Sequence, residues 1–192
     1  MNHEQTLESA IRSLMAVKPR VLVAIDGMAA SGKTTLANAV AQRIFGCAVV
    51  HMDDFTVPFE DRYPSYFEKT LSNADITRFD REVLSPLEHG CAASYRPYRC
   101  HPIPGFGDSI AIPDSCAVVI VEGAYCLHDD LFDRYDLRAL MTVKPDTQRA
   151  RILARNGAAQ LERFLSNWIP MEHAHIDARR LHERCDMIFS EA

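Results

Sequence analysis

No stretch of this chain reaches the roughly 18 consecutive apolar residues that a membrane-spanning helix needs. The first residues, Met1-Asn2-His3-Glu4-Gln5, are too polar for a secretory signal, so a soluble, cytoplasmic protein with no membrane partner is expected. The six cysteines, Cys47, Cys91, Cys100, Cys116, Cys126 and Cys185, form no Cys-x-x-Cys pair and read as reduced, mostly buried thiols. Cys91, Cys100, His101 and Cys116 fit no common zinc spacing. A basic excess is also missing: the net charge of -5 argues against nucleic acid as a general partner, since such binding rests on many phosphate contacts. There are no internal repeats or low-complexity tracts. A length of 192 residues at 47% hydrophobic and 24% charged content fits one domain, 1–192, with a substantial core. Core patterning looks like interface patterning at this level, which leaves a homo-oligomer open.

What is present is concentrated near the start. Gly27-Met28-Ala29-Ala30-Ser31-Gly32-Lys33-Thr34-Thr35 completes the G-x-x-x-x-G-K-[ST] signature of a triphosphate-binding loop. Gly27 and Gly32 permit the tight turn that points successive N–H groups inward, Lys33 reaches the β/γ-phosphates, and the Thr34 hydroxyl is a ligand for Mg²⁺. The flanks agree with the motif. Residues 20–26 are an apolar, β-branched run suited to a strand buried on both faces, and Leu36, Val40 and Ile44 have helical spacing until Gly46. The phosphates would then sit at a helix N-terminus, where free N–H groups favour anions.

Further strands are expected at 47–52, 117–121, 137–143 and 186–189, with helices near 4–17, 147–155 and 161–173. Alternation of strands and helices implies an α/β three-layer sandwich. Its sheet should be five-stranded and mostly parallel, with ligands at the carboxyl ends of the strands. The long stretch 56–115 between the second and third strands, with a short helix from Asp80 and a hairpin pairing 92–99 with 109–112, reads as an insertion that binds the acceptor.

Phosphoryl transfer needs a phosphate cradle, a metal holder, a base and cations. Glu122, ending the third strand, is the metal holder expected beside Thr34, and Gly123 keeps the backbone close. Asp53 and Asp54 end the second strand at the same edge; Asp53 is taken as the base, and Asp54 as a group that orients substrate, metal or loop. Arg149, Arg151 and Arg155 supply cations, and Arg151 and Arg155, four apart on one helical face, read as part of a lid at about 146–160. The aromatic residues of the tail are expected to pack, with closure of the acceptor pocket by Trp168 and Glu172, which share a helical face, as the alternative; His173 and His175 read as a surface pair.

These pieces, in this order, resemble the uridine kinase and phosphoribulokinase family, particularly the bacterial uridine kinase-like proteins. The matching stretches are 26–35, 51–55, 79–87, Tyr95-Arg96-Pro97-Tyr98, 119–125 and 146–155. The resemblance implies that Asp53 deprotonates a nucleoside 5′-hydroxyl, that Glu122 holds Mg²⁺, that Asp80 and Tyr98 line the acceptor pocket and that Arg151 and Arg155 belong to the lid. It departs after Tyr98, where Arg99-Cys100-His101 replaces the usual continuation; Arg99 suits an acceptor that already bears phosphate or carboxylate.

The expected activity is therefore an ATP- and Mg²⁺-dependent kinase of a small-molecule alcohol, with uridine or cytidine as the first acceptor. A sugar, sugar phosphate or pantothenate-like alcohol is the alternative within that class. A nucleotide-dependent switch or regulatory binding protein is the alternative outside it, but the nearest segment to a guanine-reading Asn-Lys-x-Asp is Val143-Lys144-Pro145-Asp146, and Val143 cannot supply the asparagine's polar side chain.

Overall fold

Alternation along the first strand divides the core in two. In a computed structural model, which describes residues 2–58, 61, 72–100 and 102–190, strand β1 (Val21–Gly27) is buried at every position. Val21, Val23 and Ile25 face one layer with Leu36 and Val40, while Leu22 and Ala24 face the other with Phe55, Phe79 and Leu127. Each fully buried side chain of this kind stabilises by about 1.5–3 kcal/mol relative to exposure.

The order of elements is α1 (His3–Met15), β1, α2 (Lys33–Ala41) and β2 (Cys47–His51), followed by the helical stretch α3 at 76–88. Short strands follow: β3 (Ala93–Tyr95), β4 (Tyr98–Arg99), β5 (Gly105–Phe106) and β6 (Ile110–Ile112). The chain then returns through β7 (Val118–Glu122), α4 (Asp129–Phe132), β8 (Leu137–Thr142), α5 (Pro145–Asn156), α6 at 158–178, α7 (Leu181–Arg184) and β9 (Met187–Ser190). Two of the helices are phase-shifted by π turns, Asp80–Leu84 in α3 and Phe164–Trp168 in α6.

The five long strands form one sheet in the order β2-β7-β1-β8-β9, parallel at every pairing. The expected strands are therefore all present, and the sheet is wholly parallel. The expected hairpin is found as β3 on β6 and, nested inside it, β4 on β5. Helix α1 buries Leu7 and Ile11, one turn apart, and packs on α2 as well as on β1. Among the described residues no helix is long and apolar enough to cross a membrane.

Register places the chemistry. His51 at the end of β2 pairs with Glu122 at the end of β7, and Glu122 pairs with Ile25 of β1 just before the loop. Three strands thus deliver the loop, Glu122 and the Asp53 turn to one edge of the sheet.

Candidate active site

The loop begins where β1 passes β8 too closely for any side chain: a Cβ on Gly27, at φ +139°, would lie 2.0 Å from the Met141 carbonyl oxygen. Gly123 meets a similar limit after β7, because its Cβ would lie 2.7 Å from that of Met52. Between these points opens a cleft of about 1230 Å³. Ala29, Ala30, Gly32, Lys33, Thr34 and Thr35 line it, whereas Gly27, Met28 and Ser31 lie behind its wall. Lys33 is buried, and its Nζ donates to the carbonyls of Gly27 at 2.9 Å and Met28 at 2.8 Å. The lysine is thereby folded back along the loop beside the helix N-terminus.

The expected acids converge. Thr34 Oγ1 donates to Glu122 Oε1 at 3.0 Å, and His51 Nδ1 lies 2.6 Å from the same oxygen. The hydrogen bond to Glu122 is the largest influence on His51 and raises its pKa above the ordinary histidine value. Asp53 opens into the cleft from the short 3-10 turn Met52–Phe55. Its side chain is exposed to the cleft, while the walls of the cleft still exclude much of the water around it. Desolvation there pushes its carboxyl above the ordinary value, Lys33 opposes the shift, and the charges of Glu122 and Asp54 add to it.

Asp54 points the other way. It is 2% exposed, accepts from Tyr95 OH at 3.2 Å and pairs with Arg99 Nη1, so it reaches the cleft only through Arg99. Asp54 thereby supports Arg99, which lines the cleft beside Tyr98. The Tyr98 ring is fixed edge-on against Phe106 at 5.3 Å. Asp80 is a correction: it does not line the cleft. Its Oδ1 accepts from Ser85 Oγ at 2.7 Å and pairs with Arg134, where it staples the π turn of α3 to the segment after α4. Partial burial opposes ionisation there, but Ser85 and Arg134 outweigh it and hold the Asp80 carboxyl below its ordinary value. His101 lies outside the described residues.

The opposite wall comes from α5 and α6. Arg151 Nη1 donates to the Ala30 carbonyl at 3.1 Å and, with Arg155, lines the cleft, whereas Arg149 is exposed elsewhere. Gln148, unnoticed in the sequence, is buried and donates through Nε2 to the Ala29 carbonyl at 3.0 Å. Residues 148, 151 and 155 share one helical face, so the signal lay in the same spacing that marked the two arginines. Trp168 and Glu172 both line the cleft.

His175 is not a surface residue. It is 1% exposed, and its Nε2 lies 3.0 Å from Asp26 Oδ2, while His173 is exposed. All six cysteines are free thiols, but only Cys116 and Cys126 are buried, against the expectation of mostly buried ones; among the described residues no group of three or more His, Cys, Asp or Glu side chains is arranged to hold a metal. A hydroxyl on a carboxylate, Thr34 on Glu122, is nevertheless an all-oxygen pair of the kind that suits Mg²⁺ alongside phosphate oxygens.

No family model matches the chain. The nicotinamide riboside kinase of Eremothecium gossypii is 28% identical over 176 residues, which cover 82% of this chain and 73% of that one. Among solved structures, a possible uridine kinase from Bacillus stearothermophilus superposes with a TM-score of 0.66 at 20% identity, over 98% of this chain and 100% of that one. The D-glycerate 3-kinase of Cryptococcus neoformans gives 0.66 at 14% identity, over 89% and 87%. In fold the chain is similar to uridine kinase-like and related P-loop kinases, and in sequence to a nicotinamide riboside kinase.

Proposed function

We propose that the protein transfers the γ-phosphoryl of ATP to the 5′-hydroxyl of a nucleoside. The observation behind this reading is Asp53, a carboxylate open to the same cleft as Lys33 and the Thr34–Glu122 pair. The acceptor oxygen attacks the γ-phosphorus, the bond to the β-bridging oxygen breaks, ADP leaves, and the hydroxyl proton passes to Asp53. Lys33 leaves its carbonyl partners for the phosphates, and Arg151 and Arg155, on a lid at 146–160, balance the charge that develops. Thr34 and Glu122 would hold Mg²⁺, which would supply positive charge against the triphosphate.

A nucleoside is favoured over an acceptor that bears phosphate because the charge of Arg99 is already balanced by Asp54. The nicotinamide riboside kinase and uridine kinase names among the relatives agree with that choice. Arg99 still has over half of its side chain exposed, which favours glycerate or a sugar phosphate as the second class to test.

A panel of uridine, cytidine, nicotinamide riboside, sugars, sugar phosphates, glycerate and pantothenate, read by ADP formation with product identification, is expected to give a 5′-phosphorylated nucleoside. Turnover of none of them sinks the kinase reading; turnover of only the anionic members transfers the acceptor role to Arg99. Within the same assay Asp80→Ala should leave the acceptor KM unchanged, because Asp80 serves Ser85 and Arg134. A rise of about tenfold, equivalent to roughly 1.4 kcal/mol of lost binding, would return Asp80 to the acceptor pocket.

A further inference from the structure

Glu172 is a cleft carboxylate with no part in the reaction as described. It is 6% exposed, lines the cleft and accepts through Oε2 from the Ala29 N–H at 2.8 Å. Its other oxygen, Oε1, makes no hydrogen bond among the described residues. Ala29 is the third residue of the phosphate loop, and its carbonyl is already taken by Gln148. Three residues further along α6, His175 holds Asp26 at the foot of the loop. One helical face of α6 therefore grips both the foot and the crown of the loop.

The charged and titratable groups facing Glu172 come from several elements. Among the described residues they are Lys33 of α2, Asp26 of β1, Asp53 beyond β2 and the Tyr125 phenol beyond β7. Burial is the largest influence; with the charges of Asp26 and Asp53 it lifts the Glu172 carboxyl to about 7, against Lys33 and the Ala29 N–H.

We propose that Glu172 is a positioning residue of the phosphate loop: it keeps its hold on the Ala29 N–H while a triphosphate is bound, taking up a proton as the nucleotide enters. The inference rests on the triphosphate-binding part of the reading above. A triphosphate adds several negative charges against the loop, and a carboxylate in a poorly hydrated wall of the same cleft is driven to its neutral form by both effects. Protonation at Oε1 leaves Oε2 free to go on accepting from Ala29, and the new O–H is a donor for a phosphate oxygen. Swinging the side chain out instead would leave the Ala29 N–H without its partner in the loop wall.

Calorimetric titration of the full chain with Mg²⁺ and a non-hydrolysable ATP analogue, at pH 8 in buffers of different ionisation enthalpy, reads the protons taken up per nucleotide. The wild type is expected to take up about one proton more than Glu172→Gln, which keeps a carbonyl acceptor for Ala29 but has no acid to titrate. Wild-type affinity should also fall by up to about tenfold per pH unit above pH 8, while the variant's dependence is flatter by that amount. Equal uptake by the two proteins overturns the proposal, and so does an absence of uptake by the wild type, a result that does not depend on the variant's folding. Failure of the wild type to bind the analogue at all would overturn the kinase reading and this inference together.

Discussion

Asp53→Asn should lower kcat by about 10²–10⁴-fold, the usual contribution of a general base, while leaving the affinity for ATP nearly intact. Asparagine keeps the size and a hydrogen-bonding carbonyl but cannot take the acceptor's proton. The donor half of the site stays complete in the variant, because Lys33, Thr34 and Glu122 make their contacts without Asp53. The pH profile adds a second reading. The base must be ionised to work, so kcat should rise with pH through the Asp53 pKa, which lies above the ordinary carboxylate value, and then level off. That acid limb should vanish with the variant. Parallel loss of kcat and of ATP affinity would instead assign Asp53 to the metal or the fold.

The placement of the loop, Glu122 and Asp53 at one sheet edge was legible because its signals are local or follow from topology. The loop is a contiguous motif, the strands are short apolar runs buried on both faces, and parallel pairing sends Glu122 and Asp53 to the loop's edge without further assumptions. What sequence reading missed depends on choices made between side chains far apart in the chain. Asp80 stands near acceptor-lining positions in order, yet it takes Arg134 as its partner. Arg99 looked free for an anion and is paired with Asp54. The His173 and His175 reading failed on geometry: residues two apart on a helix of 3.6 residues per turn point about 200° apart, so one is exposed while the other is buried. Trp168 and Glu172, by contrast, are four apart and were legible as one helical face, and both line the cleft.

Asp26→Ala should destabilise the fold by about 3–5 kcal/mol, because it leaves several buried hydrogen-bond donors without a partner at about 1–3 kcal/mol each. Asp26 is 1% exposed, and every bond it makes is to a group with little access to water. Its Oδ1 accepts from the N–H groups of Gly27 at 2.6 Å and Tyr125 at 3.2 Å, and its Oδ2 from Leu127 N–H at 2.8 Å and from His175. Alanine would strand these donors together, in a region where His175 Nδ1 already has no partner among the described residues. Burial by itself would raise the Asp26 pKa, but the charge and hydrogen bond of His175, with the Leu127 and Gly27 N–H groups, bring it below the ordinary value. A carboxyl whose folded pKa is depressed stabilises fully above its unfolded pKa, near 3.8, and loses that contribution as pH falls through the lower folded value. Urea unfolding of wild type and variant across acid pH should therefore show a gap that is constant at neutral pH and closes below the ordinary carboxylate range. A gap under about 1 kcal/mol at pH 7 would show that the His175–Asp26 contact does not hold the foot of the loop. Because the Gly27 N–H is the first amide of that loop, the same variant should also bind ATP more weakly, and this links the buried pair to the phosphate site it supports.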